Sequence, residues 1–163
     1  MLTSASRSRT EPGFGAHASR RAVRAERADI VRGALAGIAG AVALAVSDAL
    51  ERALLGREPV YVPARVAARL SARVPGAPRR GLTLRFPYAA LLGAGYGATR
   101  GLLPGSSARA GARLGVAVWA LELLLLPATG ATPPVRAWPR GEPGLLFLHT
   151  LVFGLVTAAA FEA

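Results

Sequence analysis

Charged positions along this chain fall in blocks, and the stretches between or after the blocks are apolar on every side. Four such stretches stand out, running from about Ile30 to Leu50, Phe86 to Leu103, Ala108 to Leu126 and Gly144 to Phe161. None alternates with period 2 over its length, which argues against strands. Each holds roughly 18–21 residues, or about 27–31 Å of helix at ~1.5 Å per residue. That length matches the hydrocarbon core of a bilayer. A helix that is apolar all round must be buried in a large core or in lipid. A chain of 163 residues cannot bury four of them completely by itself, so lipid has to supply the missing cover. The pattern predicts an all-α fold, an integral membrane four-helix bundle over residues 30–163 with multi-pass spans 30–50, 86–103, 108–126 and 144–161. The alternative is a soluble Ala-rich bundle. It draws on the Gly-rich first three stretches, on Arg32 near the start of the first, and on the short uninterrupted part of the second, Phe86 to Thr99.

Composition narrows the reading. Hydrophobic residues make up 52% of the chain and charged residues 18%, too apolar for a disordered polar chain. The absence of Cys excludes disulfide staples and cysteine metal clusters. The net charge of +11 is carried entirely by Arg, as there is no Lys. Nucleic acid is not the expected partner, because the Arg are spread over separate loops without stacking aromatics. The lipid bilayer and its anionic head groups are the simpler counterpart.

Residues 1–29 are rich in Arg, Ser, Ala and Gly and could not build a core, so a disordered basic tail is expected. Ser19-Arg20-Arg21 resembles the start of a twin-arginine export signal. Arg24, Glu26, Arg27, Asp29 and Arg32 interrupt the approach to the apolar run, so the first helix is expected to be retained. In the loop between the first two spans, Arg65, Arg69 and Arg73 recur every four residues beside Val66, Leu70 and Val74. This suits an interfacial helix over 64–74 with its Arg toward lipid head groups, or equally a solvated basic helix. Ten Arg fall on each side of a four-span topology, so the positive-inside rule leaves orientation open.

Small residues at four-residue spacing mark candidate helix contacts: Gly33 and Gly37, Ala36 and Gly40, Gly93, Gly97 and Gly101, and Gly111 and Gly115. In lipid, helices associate through close backbone approach, which Gly permits. Such faces would also serve a homo-oligomer.

Ionisable groups inside spans are expensive and mark candidate sites. Asp48 and Glu51 lie at the exit of the first span, Glu122 about one turn before the exit of the third, and His149 about one turn into the fourth. Tyr88 is at the entry of the second. In an up-down arrangement all of these lie at one membrane face, so Asp48, Glu122, His149 and Tyr88 are expected to share an intramembrane polar layer. A Glu122–His149 bond that fixes helix register is the plain structural expectation, with Glu51 facing the interface beside Arg52. The same groups could relay protons or handle an ion. Pro127 ends the third span, and the Pro-rich stretch to Trp138 could cap the layer. No catalytic triad, metalloprotease motif or phosphate loop is present, so no enzyme activity, cofactor or metal is expected.

Several of these features together resemble a known family. They are the Gly-rich first span ending in an acid, the Pro and helix that follow, Glu122 before Pro127, and His149-Thr-Leu-Val-Phe-Gly154 in the last span. In combination they are similar to the YagU-like small bacterial inner-membrane proteins of unknown function. The resemblance covers residues 30–163, with Phe153 where such proteins often carry Tyr. It implies a four-helix protein of the plasma (inner) membrane with no agreed activity, and its motif carries over to His149 and Gly154; Gly154 is a further candidate helix-packing position. The leading expectation is a structural or interaction component of that membrane. The alternative is a small proton-linked carrier or ion-handling protein using Asp48, Glu122 and His149.

Overall fold

The computed structural model describes residues 14–56, 80–130 and 132–163. It is all-helical, with four α-helices: α1 (Phe14–Leu55), α2 (Arg80–Thr99), α3 (Ser107–Ala128) and α4 (Glu142–Glu162). Short 3-10 turns follow α2 (Arg100–Leu102) and precede α4 (Val135–Ala137). The expected interfacial helix at 64–74, with Arg65, Arg69 and Arg73, lies outside the described residues.

Helix α1 corrects the sequence reading at its start. It begins at Phe14, so residues 14–29, expected to be disordered, are helical. The tail does lack a core, but a helix already nucleated by the span needs none to propagate through good helix formers. Ala and Arg dominate that stretch, and no Pro occurs between Phe14 and Leu55. The helix ends at Gly56, whose φ of +62° is the left-handed conformation that stops helices; its N–H bonds back to Arg52 O at 3.0 Å. Helix α3 opens at Ser106, whose hydroxyl accepts from the Arg109 N–H. Pro143 lies in the first turn of α4, where a missing N–H costs nothing.

Among the described residues, α1, α3 and α4 are long and apolar enough to cross a membrane, which is compatible with a membrane protein. Helix α2 is less apolar than the expected second span. Arg85, Pro87 and a run of Gly dilute its hydrophobicity.

The helices run up, down, up and down, and glycines set their spacing. Along α1 and α2, Gly33 meets Gly93 and Gly97, and Gly37 meets Gly93 and the Ala89 carbonyl. Along α3 and α4, Gly111 meets Gly154 and Leu155, and Gly115 meets Thr150 and Leu151. At each of these positions a Cβ would run into neighbouring backbone, so only Gly allows the approach. Gly40 instead faces side chains, Thr157 and Phe153 of α4. These glycine faces are therefore filled within the chain. Gly101 has no close neighbour, because it lies in the 3-10 turn beyond the packed part of α2.

Thus α1 packs closely on α2 and α4, and α4 on α3, while the α2 and α3 backbones stay farther apart. The core is made of small residues and a few rings. Ala41, Ala89, Val118 and Phe153 form its centre. Ala36, Tyr96, Ala110, Ala158 and Phe161 close one end, where the Tyr96 and Phe161 rings meet edge to face at 5.5 Å. Leu126 and Leu146 close the other end, flanked by Trp119, Leu123 and Trp138.

A buried polar layer and its cavity

Each helix brings a polar side chain to the end of the bundle near Leu126. From α1 come Asp48 and Glu51, three residues apart and so on one face. Arg85 and Tyr88 of α2 share the same spacing. Glu122 comes from α3 and His149 from α4. All of these but Tyr88 are buried, with Arg85 4%, Asp48 6%, Glu122 6%, Glu51 7% and His149 9% exposed, so water cannot solvate their charges and they must satisfy one another.

The imidazole is the hub. His149 Nδ1 lies 3.1 Å from Asp48 Oδ1, and Nε2 lies 2.9 Å from Glu51 Oε2. An ionised carboxylate only accepts, so satisfying both contacts takes two protons. Either the ring is an imidazolium, or one carboxyl carries the second proton. Arg85 donates from Nη2 to Asp48 Oδ2, giving that carboxylate a second cationic neighbour. Removing one member of such a set would leave another charge buried without compensation, which typically costs ~3–5 kcal/mol.

Glu122 stands apart from this chain of contacts. It does not bond His149, contrary to the expectation from sequence; the ring is engaged by the two α1 carboxylates on both sides. The described partner of Glu122 is the Tyr88 hydroxyl, which donates to Oε1 across a long 3.4 Å. Glu51 is also corrected. It is buried against His149 rather than facing the interface with Arg52, because the α1 azimuth that presents Asp48 to α4 carries Glu51 there too. Arg85 is the member that sequence reasoning misses. By pattern it is a loop charge just before the second apolar run, but α2 begins at Arg80 and takes it inside. Its position three residues before Tyr88 is the signal that could have found it.

The wider gap between α2 and α3 leaves a cavity against this layer. It admits the centres of water-sized molecules over ≈ 30 Å³. Asp48, Glu51, Tyr88, Glu122, His149 and Thr150 supply its polar lining, and Leu44, Leu92, Val118, Leu145 and Phe153 much of its apolar wall. Among the described residues no group of three His, Cys, Asp or Glu is arranged to hold a metal ion.

At the far end of the bundle lies a second polar belt. Arg100 donates to Glu162 Oε1 from Nε at 3.0 Å and to the Leu103 carbonyl at 2.9 Å. Arg32 lies over the Phe161 ring, 5.4 Å from its centroid. From Arg32 to Asp48 along α1 is about 24 Å, at ~1.5 Å per residue. The polar layer and this belt therefore bound an apolar slab slightly thinner than the ~30 Å of a hydrocarbon core.

No family model, curated protein or solved structure matches this chain, so what it does has to be read from this arrangement of helices and charges.

Proposed function

We propose that the protein is an integral, multi-pass component of the bacterial inner membrane, without enzymatic activity, acting as a structural or interaction element. One observation carries this reading: α1, α3 and α4 are long and apolar enough to span, yet no more than 39% of the apolar window of any of them is buried inside the bundle. On α1, Val31, Leu35, Val42, Val46, Leu50 and Leu54 are all more than 45% exposed. Together with Ile38, at 36%, they recur at three- and four-residue spacing along the outward side of the helix. At ~25 cal/mol per Å² of apolar surface, water is a poor neighbour for such a stripe and acyl chains are a good one.

Helix α2 is read as the fourth crossing despite its lower apolarity. It lies antiparallel beside α1 from Asp29 to Asp48, so it shares the depth that α1 crosses. Its Arg85 has Asp48 as counter-ion, which lowers the cost of carrying it in. The Asp48–His149–Glu51 contacts then act as a register lock between α1 and α4. The bacterial inner membrane is proposed as the location on the resemblance of the sequence motifs, His149 to Gly154 among them, to the YagU-like proteins. The anionic head groups of that membrane are proposed as partners of the Arg at the ends of the bundle.

Fractionation tests this. The full chain is expected to pellet with membranes and stay there through high salt and alkaline carbonate. Reporter fusions are expected to put the N- and C-termini on one side and the 57–79 segment on the other. Release by alkali, or a folded monomer in buffer without detergent, would overturn the reading.

A further inference from the structure

We propose that the cavity between α2 and α3 is a binding site for a small organic ammonium ion, of methylammonium or ethylammonium size, with Glu122 as its anion. The inference rests on the packing of the four helices and not on the bilayer. Its failure would therefore leave the membrane reading, which alkaline extraction tests, standing.

Charge arithmetic singles out Glu122. Asp48 and Glu51 are held by Arg85 and the two nitrogens of His149. Glu122 is 6% exposed and has the 3.4 Å hydroxyl contact from Tyr88 on Oε1. Among the described residues its Oε2 has no hydrogen-bond partner, and the carboxyl lines the cavity. A buried carboxylate in that condition gains strongly from a cationic donor.

The surroundings specify what kind of cation. Apart from Asp48 and Glu51, which Arg85 and His149 engage, three oxygen-bearing side chains line the cavity from three helices: Glu122, Tyr88, whose hydroxyl donates to Glu122 Oε1, and Thr150, whose hydroxyl donates to Phe147 O at 3.0 Å. An ammonium group with three N–H donors matches three acceptors. A hard metal ion prefers six or more oxygens. The rest of the wall, including Leu92, Val118, Leu145 and Phe153, is apolar and suits carbon rather than a hydrated ion. Size sets the upper limit. A space of ≈ 30 Å³ holds about two water-sized bodies at ~10–15 Å³ each, so a guest of two or three heavy atoms fits and a tetraalkylammonium does not.

The test uses the purified full chain in a non-ionic detergent. Thermal unfolding is followed against ethylammonium chloride, with sodium chloride and tetraethylammonium chloride at equal ionic strength. A saturable rise in Tm with ethylammonium alone is expected, and Glu122→Gln should abolish it. Leu145→Phe keeps the carboxyl but fills the cavity, and should abolish it as well. In parallel, a hydrophobic carbodiimide, which adds to protonated carboxyl groups, is applied to the wild-type chain and Glu122 labelling is read by mass spectrometry. Ethylammonium should lower that labelling several-fold. Equal labelling with and without ethylammonium would mean a carboxyl that holds only a proton, and the proposal fails. It fails too if Glu122→Gln keeps the saturable rise. If neither variant folds, the protection measured on the wild-type chain decides alone.

Discussion

Substituting Ala for Gly93 adds one methyl group at the α1–α2 contact, and the geometry says what it must displace. Its Cβ would fall against the Gly33 carbonyl oxygen and only 2.7 Å from Gly37 Cα. Comfortable carbon–carbon contact is ~3.5–4.0 Å, so the two backbones must part by about 1 Å. No flexible side chain can relieve this, because the three nearest atoms all belong to the backbone of α1. A gap of that size forfeits about a quarter to a half of the dispersion energy of each contact it opens. Overpacking of this kind typically costs ~1–3 kcal/mol. The upper half applies here, since the same separation pulls Arg85 away from Asp48 further along the pair. Gly95 provides the control. It lies two residues away in the same helix, and a methyl group added there would meet nothing within 4 Å. Gly95→Ala should therefore be neutral, or stabilising by up to ~1 kcal/mol through helix propensity. The assay is reversible unfolding in mixed detergent micelles, followed by far-UV circular dichroism. Equal stabilities for the two Ala variants would refute close backbone approach as the basis of the α1–α2 pairing.

Other consequences can be checked in the same assay. Arg85→Met should destabilise by ~3–5 kcal/mol, because Asp48 loses a cation while it stays buried, and Asp48→Leu in the same chain should recover much of the loss. Arg100→Ala should leave stability nearly unchanged, with any small loss fading at high salt, since its contact with Glu162 is solvent-exposed. Trp119→Phe should cost about 1 kcal/mol and loosen the start of α4, because the indole N–H donates to Pro143 O at 3.0 Å. A shift in tryptophan emission with the remaining Trp138 as reporter would follow that loosening.

The information legible along the chain is axial. A helix rises a constant amount per residue, so counting from the ends of the apolar runs is enough to put Asp48, Tyr88, Glu122 and His149 at one depth, and the structure brings those four side chains around one cavity. The all-helical class is legible for the same reason, as apolar length and the lack of alternation need no partner to be seen. Azimuth is not legible. Whether His149 meets Glu122 or the Asp48–Glu51 pair depends on how each helix is rotated and which neighbour it packs on, and that is decided by the Gly33–Gly97 and Gly111–Gly154 approaches acting together. Arg85 shows the same limit. Its guanidinium enters the core only because α2 starts early and runs antiparallel to α1, which brings a counter-ion 37 positions earlier in the chain within reach. A linear pattern records how deep a side chain lies, but the direction in which it points, and so its partner, is a property of the packed helices.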